Sequence, residues 1–122
     1  MKCFTIRGLL LGLWFLSPCA QAQTKGDNAR FKELIADTNA VILDVRTPEE
    51  FSEGYIKGKA LTMNVNYFSS EFISKVETIA RKNQIILVYC AAGGRSASAC
   101  KDLKKAGFKK IYELQGGYNN WE

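Results

Sequence analysis

A chain of 122 residues, 47% hydrophobic and 24% charged, has room for one ordinary globular core and not for two. It contains no histidine, which excludes a Cys-His hydrolase, a histidine-assisted zinc site and histidine general-base catalysis. The formal net charge of +5 is mild, and no nucleic-acid partner is expected from it.

Lys2 and Arg7 precede an apolar run from Leu9 to Leu16, and Ala20-Gln21-Ala22 supplies the small residues that a signal peptidase reads. Residues 1–22 are therefore expected to be a cleaved export signal, 23–28 an N-terminal linker and 29–122 the folded domain. The apolar run falls well short of the ~20 residues that span a bilayer. A lipoprotein signal ending at Cys19 is the alternative, and Pro18 beside the bond to be cut argues against it. The expected location is periplasmic or secreted, with no membrane contact after cleavage; the alternative is a lipid anchor through Cys19. Removing the segment leaves 15 basic against 12 acidic residues, a net charge of +3. It also removes Cys3 and Cys19, so that Cys90 and Cys100 remain for a compartment where a disulfide is the default for a pair.

Phe31, Leu34 and Ile35 mark a first helix, and Val41-Ile42-Leu43-Asp44-Val45 is a short buried-strand run. Thr47-Pro48-Glu49-Glu50 reads as a helix start, with Thr47 as N-cap and Glu50 reaching back in a capping box. Leu61 to Val65 is a weaker strand. A helix beginning near Ser69 carries Phe72, Ile73, Val76, Ile79 and Ala80, and Ile85-Ile86-Leu87-Val88-Tyr89 is the strongest strand run. The next helix is expected from about Ser96 to Ala106 with Gly107 closing it, followed by a strand around Ile111 to Leu114. Lys101, Lys104, Lys105, Lys109 and Lys110 cluster there without interleaved aromatics, as a solvated face does. The alternation predicts an α/β domain with a mainly parallel sheet flanked by helices on both faces.

Chemistry concentrates where the strongest strand ends. Cys90-Ala91-Ala92-Gly93-Gly94-Arg95-Ser96 lies between a buried strand and a helix, at the carboxyl edge where open α/β sheets place their ligands. Its small residues let the loop curl so that its amides, with the helix dipole, make an anion nest around the cysteine sulfur. A thiol there is favoured as thiolate, and Arg95 adds a fixed charge for an anionic donor or a persulfide. The same residues also fit a buried structural cysteine followed by an ordinary turn. Asp44 and Arg46, at the end of the first strand, are expected to be structural support; they can bind each other, Arg95 or nearby backbone, and Glu50 or Glu53 is a reasonable surface partner for Arg46. Cys100 lies ten residues beyond Cys90 along the following helix, where ~1.5 Å of rise per residue carries it away from the loop. No bridge between the two is expected, since bridging needs Cα atoms within ~7 Å.

Asp44-Val45-Arg46-Thr47-Pro48-Glu49-Glu50-Phe51, Gly54-Tyr55-Ile56, Val88-Tyr89-Cys90 with Gly93 and Arg95-Ser96, Gly107-Phe108 and Gly116-Gly117-Tyr118-Asn119-Asn120-Trp121 together resemble the rhodanese-like domain of the single-domain thiosulfate sulfurtransferases. The resemblance runs from about residue 29 to the end. It implies a parallel five-stranded sheet between helices, with Cys90 as the catalytic cysteine carrying sulfane sulfur as a persulfide. The stretch from Cys90 to Arg95 is similar to the sulfurtransferase loop; the related dual-specificity phosphatases have a loop one residue longer. Tyr55 stands where the family usually has histidine, Lys57-Gly58-Lys59-Ala60 where it has Pro-Gly-Ala, and Ala91-Ala92 where many members are polar. A local change in that crossover is expected.

The expected reaction is ping-pong transfer from thiosulfate or a persulfide donor to cyanide or a thiol, without cofactor or metal. The expected partners are a small sulfur-containing anion, a thiophile and in some settings a protein donor or acceptor, with the chain as a monomer. A non-enzymatic persulfide carrier that hands sulfur to a partner is the alternative.

Overall fold

A computed structural model of the chain describes residues 23–122. The segment 1–22, expected as an export signal with Cys19 as the alternative lipid site, lies outside the described residues. In chain order the elements are α1 (Gln23–Leu34), β1 (Val41–Asp44), α2 (Pro48–Glu53), β2 (Leu61–Asn64), α3 (Phe72–Ile79), β3 (Ile85–Tyr89), α4 (Gly94–Lys105), β4 (Lys110–Glu113) and a closing 3-10 turn over Tyr118–Asn120. No helix among the described residues is long and apolar enough to cross a membrane.

The sheet is wholly parallel in the order β2-β1-β3-β4. That order explains the uneven strand signals in the sequence. The central strands β1 and β3 are covered on both faces and buried almost throughout, so they read as unbroken apolar runs. The edge strands β2 and β4 begin exposed and stay half-buried, so Thr62, Asn64, Lys110 and Glu113 are tolerated there.

Strand residues alternate between two apolar layers. Val41, Leu43, Ile86 and Val88 pack with Phe72 and Val76 of α3 and with Ala99, Cys100 and Leu103 of α4. Ile42, Leu87 and Tyr89 face the other way, onto Phe31 and Leu34 of α1, with Ile56 and Leu114 alongside. Helices therefore cover both faces, as the alternation predicts. The resemblance implied five strands; among the described residues the sheet has four. Among the described residues ahead of β1, Gln23–Leu34 is helical and covers a face of the sheet, so no strand is added there. The helix begins at Gln23, so residues 23–28, expected as a linker, are continuous with it.

Local signals account for the helix ends. Thr47 Oγ1 accepts the Glu50 N–H and the Glu50 carboxylate accepts the Thr47 N–H, the reciprocal capping box expected of these residues. α3 starts at Phe72 because Asn66 and Ser69 take the preceding amides into turns: Asn66 Oδ1 accepts from Phe68 N–H and Ser69 Oγ from Glu71 N–H. At the end of α4, Gly107 is left-handed with φ 102°. Its N–H donates to Lys104 O and that of Phe108 to Leu103 O, a Schellman closure.

The crossover between α2 and β2 is tied to the backbone that follows α1. Lys59 and Ala60 both donate backbone N–H groups to Ile35 O, at 2.8 and 3.0 Å. A Cβ on Gly58 would lie 2.5 Å from that same oxygen, so only glycine fits this approach. Tyr55 stacks on Phe51 with ring centroids 4.3 Å apart.

Candidate active site

From β1 the chain moves to one side of the sheet, through α2 to β2; from β3 it moves to the other, through α4 to β4. The carboxyl ends of β1 and β3 therefore bound the crevice that such a reversal opens. Tyr89 is the last residue of β3, and Cys90 is the first beyond it.

The loop is shorter than expected. α4 begins at Gly94, so Gly94, Arg95 and Ser96 form its first turn and only Cys90–Gly93 are non-helical. Gly93 has φ 122°, in the left-handed region that favours glycine, and this turns its N–H back toward the cysteine. The Gly93 N–H lies 3.1 Å from Cys90 Sγ and the Ser96 N–H 3.3 Å. Cys90 itself is 1% exposed. Burial pushes the Cys90 thiol up, but the Ser96 hydroxyl and the Ser96, Gly93 and Ala92 amides outweigh it, and the thiol sits below its ordinary value.

The loop is held from outside by the closing turn. Tyr118 N–H donates to Cys90 O at 2.8 Å and Asn119 N–H to Ala91 O at 3.0 Å. Gly117, φ 68°, permits this approach, because a Cβ there would lie 2.5 Å from both carbonyl oxygens.

Asp44 and Arg46 support this clamp. Arg46 donates from Nε and Nη2 to the Asp44 carboxylate, with a closest contact of 2.7 Å, and from Nη2 to Gly54 O at 2.6 Å. Its guanidinium lies 4.4 Å from the centroid of the Tyr118 ring. The remaining Asp44 capacity accepts the Tyr89 hydroxyl at 2.7 Å. Of the partners open to Arg46, the fold selects Asp44 rather than Glu50 or Glu53, in a buried pair whose side chains are 5% and 0% exposed. Burial lowers the Arg46 guanidinium, but the Asp44 carboxylate more than restores it, and the net direction is upward.

Glu50 instead takes Arg95. Nη1 and Nη2 of Arg95 lie 2.7 and 3.1 Å from the two carboxylate oxygens. The Arg95 side chain and the Thr47 N–H hold the Glu50 carboxyl down to about 2. Part of the positive charge expected to serve an anionic ligand is therefore already balanced.

Sequence reasoning missed a contact to Ser96. Its Oγ lies 3.4 Å from Cys90 Sγ, 3.2 Å from Gly93 O and 2.7 Å from Glu113 Oε2 of β4. Nothing local in the sequence ties position 113 to position 96; only the placement of β4 beside β3 does. Among the described residues Cys90 and Cys100 are not joined by a disulfide, as the helix geometry predicts.

The family model for the rhodanese-like domain matches residues 27–122. Thiosulfate sulfurtransferase 16, chloroplastic, of Arabidopsis thaliana is 39% identical over 88 residues, covering 65% of this chain and 71% of that protein. The mitochondrial protein HIGH ARSENIC CONTENT 1 of the same plant is 33% identical over 65% of this chain, which spans 50% of that relative's length. The crystal structure of a rhodanese-related protein from Thermoplasma volcanium superposes with a TM-score of 0.60 at 31% identity, covering 77% of this chain and 85% of that one.

Proposed function

The chain belongs to the rhodanese-like domain family, and from that premise we propose that it is a sulfurtransferase whose Cys90 carries the sulfur in transit. The observation that carries this reading is the Cys90 sulfur at the sheet's reversal point, facing two inward amide N–H groups. Such a cup favours an anionic sulfur and gives it hydrogen bonds in the low-dielectric interior. The Cys90 thiolate attacks the outer sulfur of thiosulfate; the new Cys90–S–S⁻ persulfide forms as the S–S bond of the donor breaks and sulfite departs. Cyanide or a thiolate then attacks the outer persulfide sulfur and regenerates the Cys90 thiolate. Neither half-reaction needs a metal or a cofactor.

Ala91, Ala92, Gly93, Gly94, Arg95 and Ser96 form the cup for donor and persulfide, and Asp44 and Arg46 keep its floor in place. The stretch from Cys90 to Arg95 is similar to the sulfurtransferase loop, one residue shorter than that of the dual-specificity phosphatases, which favours sulfur over a tetrahedral phosphate. The test is intact mass after incubation with thiosulfate, before and after cyanide. A gain of one sulfur atom that cyanide removes, and that Cys90→Ser lacks, is expected. A parent protein that gains no sulfur, or that cleaves an aryl phosphate faster than it forms thiocyanate, would overturn the reading.

A further inference from the structure

Ser96 has one hydroxyl proton and three neighbours for it. The shortest contact, at 2.7 Å, is to the Glu113 carboxylate, against 3.2 Å to Gly93 O and 3.4 Å to Cys90 Sγ. A charged acceptor at the shorter distance makes the stronger bond, so an ionised Glu113 takes the proton. The Ser96 oxygen then presents a lone pair to the sulfur, and the Cys90 thiol donates to it.

We propose that Glu113 is a positioning residue for Cys90 that acts through Ser96, accepting the thiol proton by a two-step relay when the nucleophile forms. This rests on Cys90 being the sulfur carrier. The Cys90 proton passes to Ser96 Oγ while the Ser96 proton passes to Glu113 Oε2. One S–H and one O–H bond break, two O–H bonds form, and no electrons are exchanged. The products are a Cys90 thiolate and a neutral Glu113. The relay also reverses Ser96. Its hydroxyl now carries the proton that came from sulfur, so it becomes a donor to the thiolate beside the Gly93 and Ser96 amides. The site holds one negative charge before and after, which avoids setting two anions side by side at a part-buried contact. A chain without histidine thereby has a local base for its thiol.

Other charges bear on the same sulfur. Arg95 of α4 lies within electrostatic reach of Cys90. Asp44 and Arg46, at the end of β1, form a closed pair, and Tyr89 and Tyr118 flank the loop. None of these exchanges a proton with the thiol through Ser96.

The experiment measures the rate at which iodoacetamide alkylates Cys90, resolved by peptide mass, from about pH 4 to about pH 9, a span that brackets carboxyl and thiol titration. Parent, Glu113→Gln and Ser96→Ala are compared, with folding checked by circular dichroism. Glutamine keeps an acceptor for Ser96 but cannot take up the proton, and alanine removes the bridge, so either variant alone suffices. In the parent, two coupled groups give a rise in two steps; each variant is expected to show one step and to react roughly tenfold more slowly on the acid side. Coincident profiles, or variants that react faster than the parent on the acid side, would overturn the relay. Alkylation needs no sulfur donor. A parent that fails to gain sulfur from thiosulfate therefore counts against sulfur transfer, while the alkylation profile alone judges Glu113.

Discussion

Arg95, in the first turn of α4, grips Glu50 of α2 through two parallel N–H···O contacts of 2.7 and 3.1 Å across 45 residues of sequence. Two opposite kinetic effects are expected. Arg95→Ala removes the fixed charge that attracts an anionic donor and leaves Glu50 unbalanced beside the cup. The KM for thiosulfate should rise by the equivalent of about 1–3 kcal/mol, the range for a hydrogen bond to a charged group, with a smaller change in kcat. Glu50→Gln frees Arg95 and should lower that KM. Steady-state thiocyanate formation on both variants checks the pair; a KM that moves the same way in both would show that Glu50 does not restrain Arg95.

The same ion pair has a pH signature. Its Arg95 bond and the Thr47 N–H hold the Glu50 carboxyl at about 2 in the fold, against an ordinary 4.5. A depressed carboxyl stabilises the folded state fully above the ordinary value, and that contribution is lost as pH falls toward the folded one. The difference in thermal midpoint between parent and Glu50→Gln should therefore be constant above about pH 5 and shrink as pH falls toward 2. With the Arg95 and Glu50 side chains 22% and 35% exposed, added salt should reduce it further.

Tyr89 is fully buried, and its hydroxyl both donates to Asp44 at 2.7 Å and accepts from the Ile56 N–H at 3.0 Å. Tyr89→Phe preserves the ring, leaves the buried Ile56 N–H without its acceptor and takes one hydrogen bond from Asp44, which keeps Arg46. A loss of about 1–3 kcal/mol in stability is expected, the penalty for a buried group left unsatisfied. Urea denaturation checks this: the midpoint should fall while the slope is unchanged.

Gly117→Ala is expected to damage the site more than its size suggests. The added Cβ would sit 2.5 Å from the Cys90 and Ala91 carbonyl oxygens, at φ 68°. The closing turn must back away, breaking the Tyr118 and Asn119 hydrogen bonds that hold the loop. A stability loss of about 1–3 kcal/mol from the strained backbone should accompany a fall in the rate of sulfur transfer. Gly94→Ala, with nothing within 4 Å of the added atom, is the control and should leave stability near that of the parent.

The strands, the Thr47 capping box and the placement of Cys90 at a strand end were legible in the sequence because each depends on neighbours a few residues apart. Burial on both faces writes an apolar run into β1 and β3; a capping box needs only Thr47 and Glu50; a Schellman closure needs Gly107 and the turn before it. The start of α4 was less legible, because Gly94 is a poor helix former by propensity and joins the helix only where the turn at Gly93 aims it. What the tertiary structure alone decided is which charge meets which. Glu50 was visible as a capping residue, but its pairing with Arg95 required α2 and α4 to converge at the ends of β1 and β3. Arg46 could have turned outward to an exposed glutamate; it turns inward because Asp44, Gly54 O and the Tyr118 ring surround it in the fold. Glu113 reaches Ser96 only because β4 lies beside β3 in a particular register. Short-range order follows from local sterics and hydrogen bonding, whereas partners 17 or 45 residues apart are chosen by sheet order, which no single segment encodes.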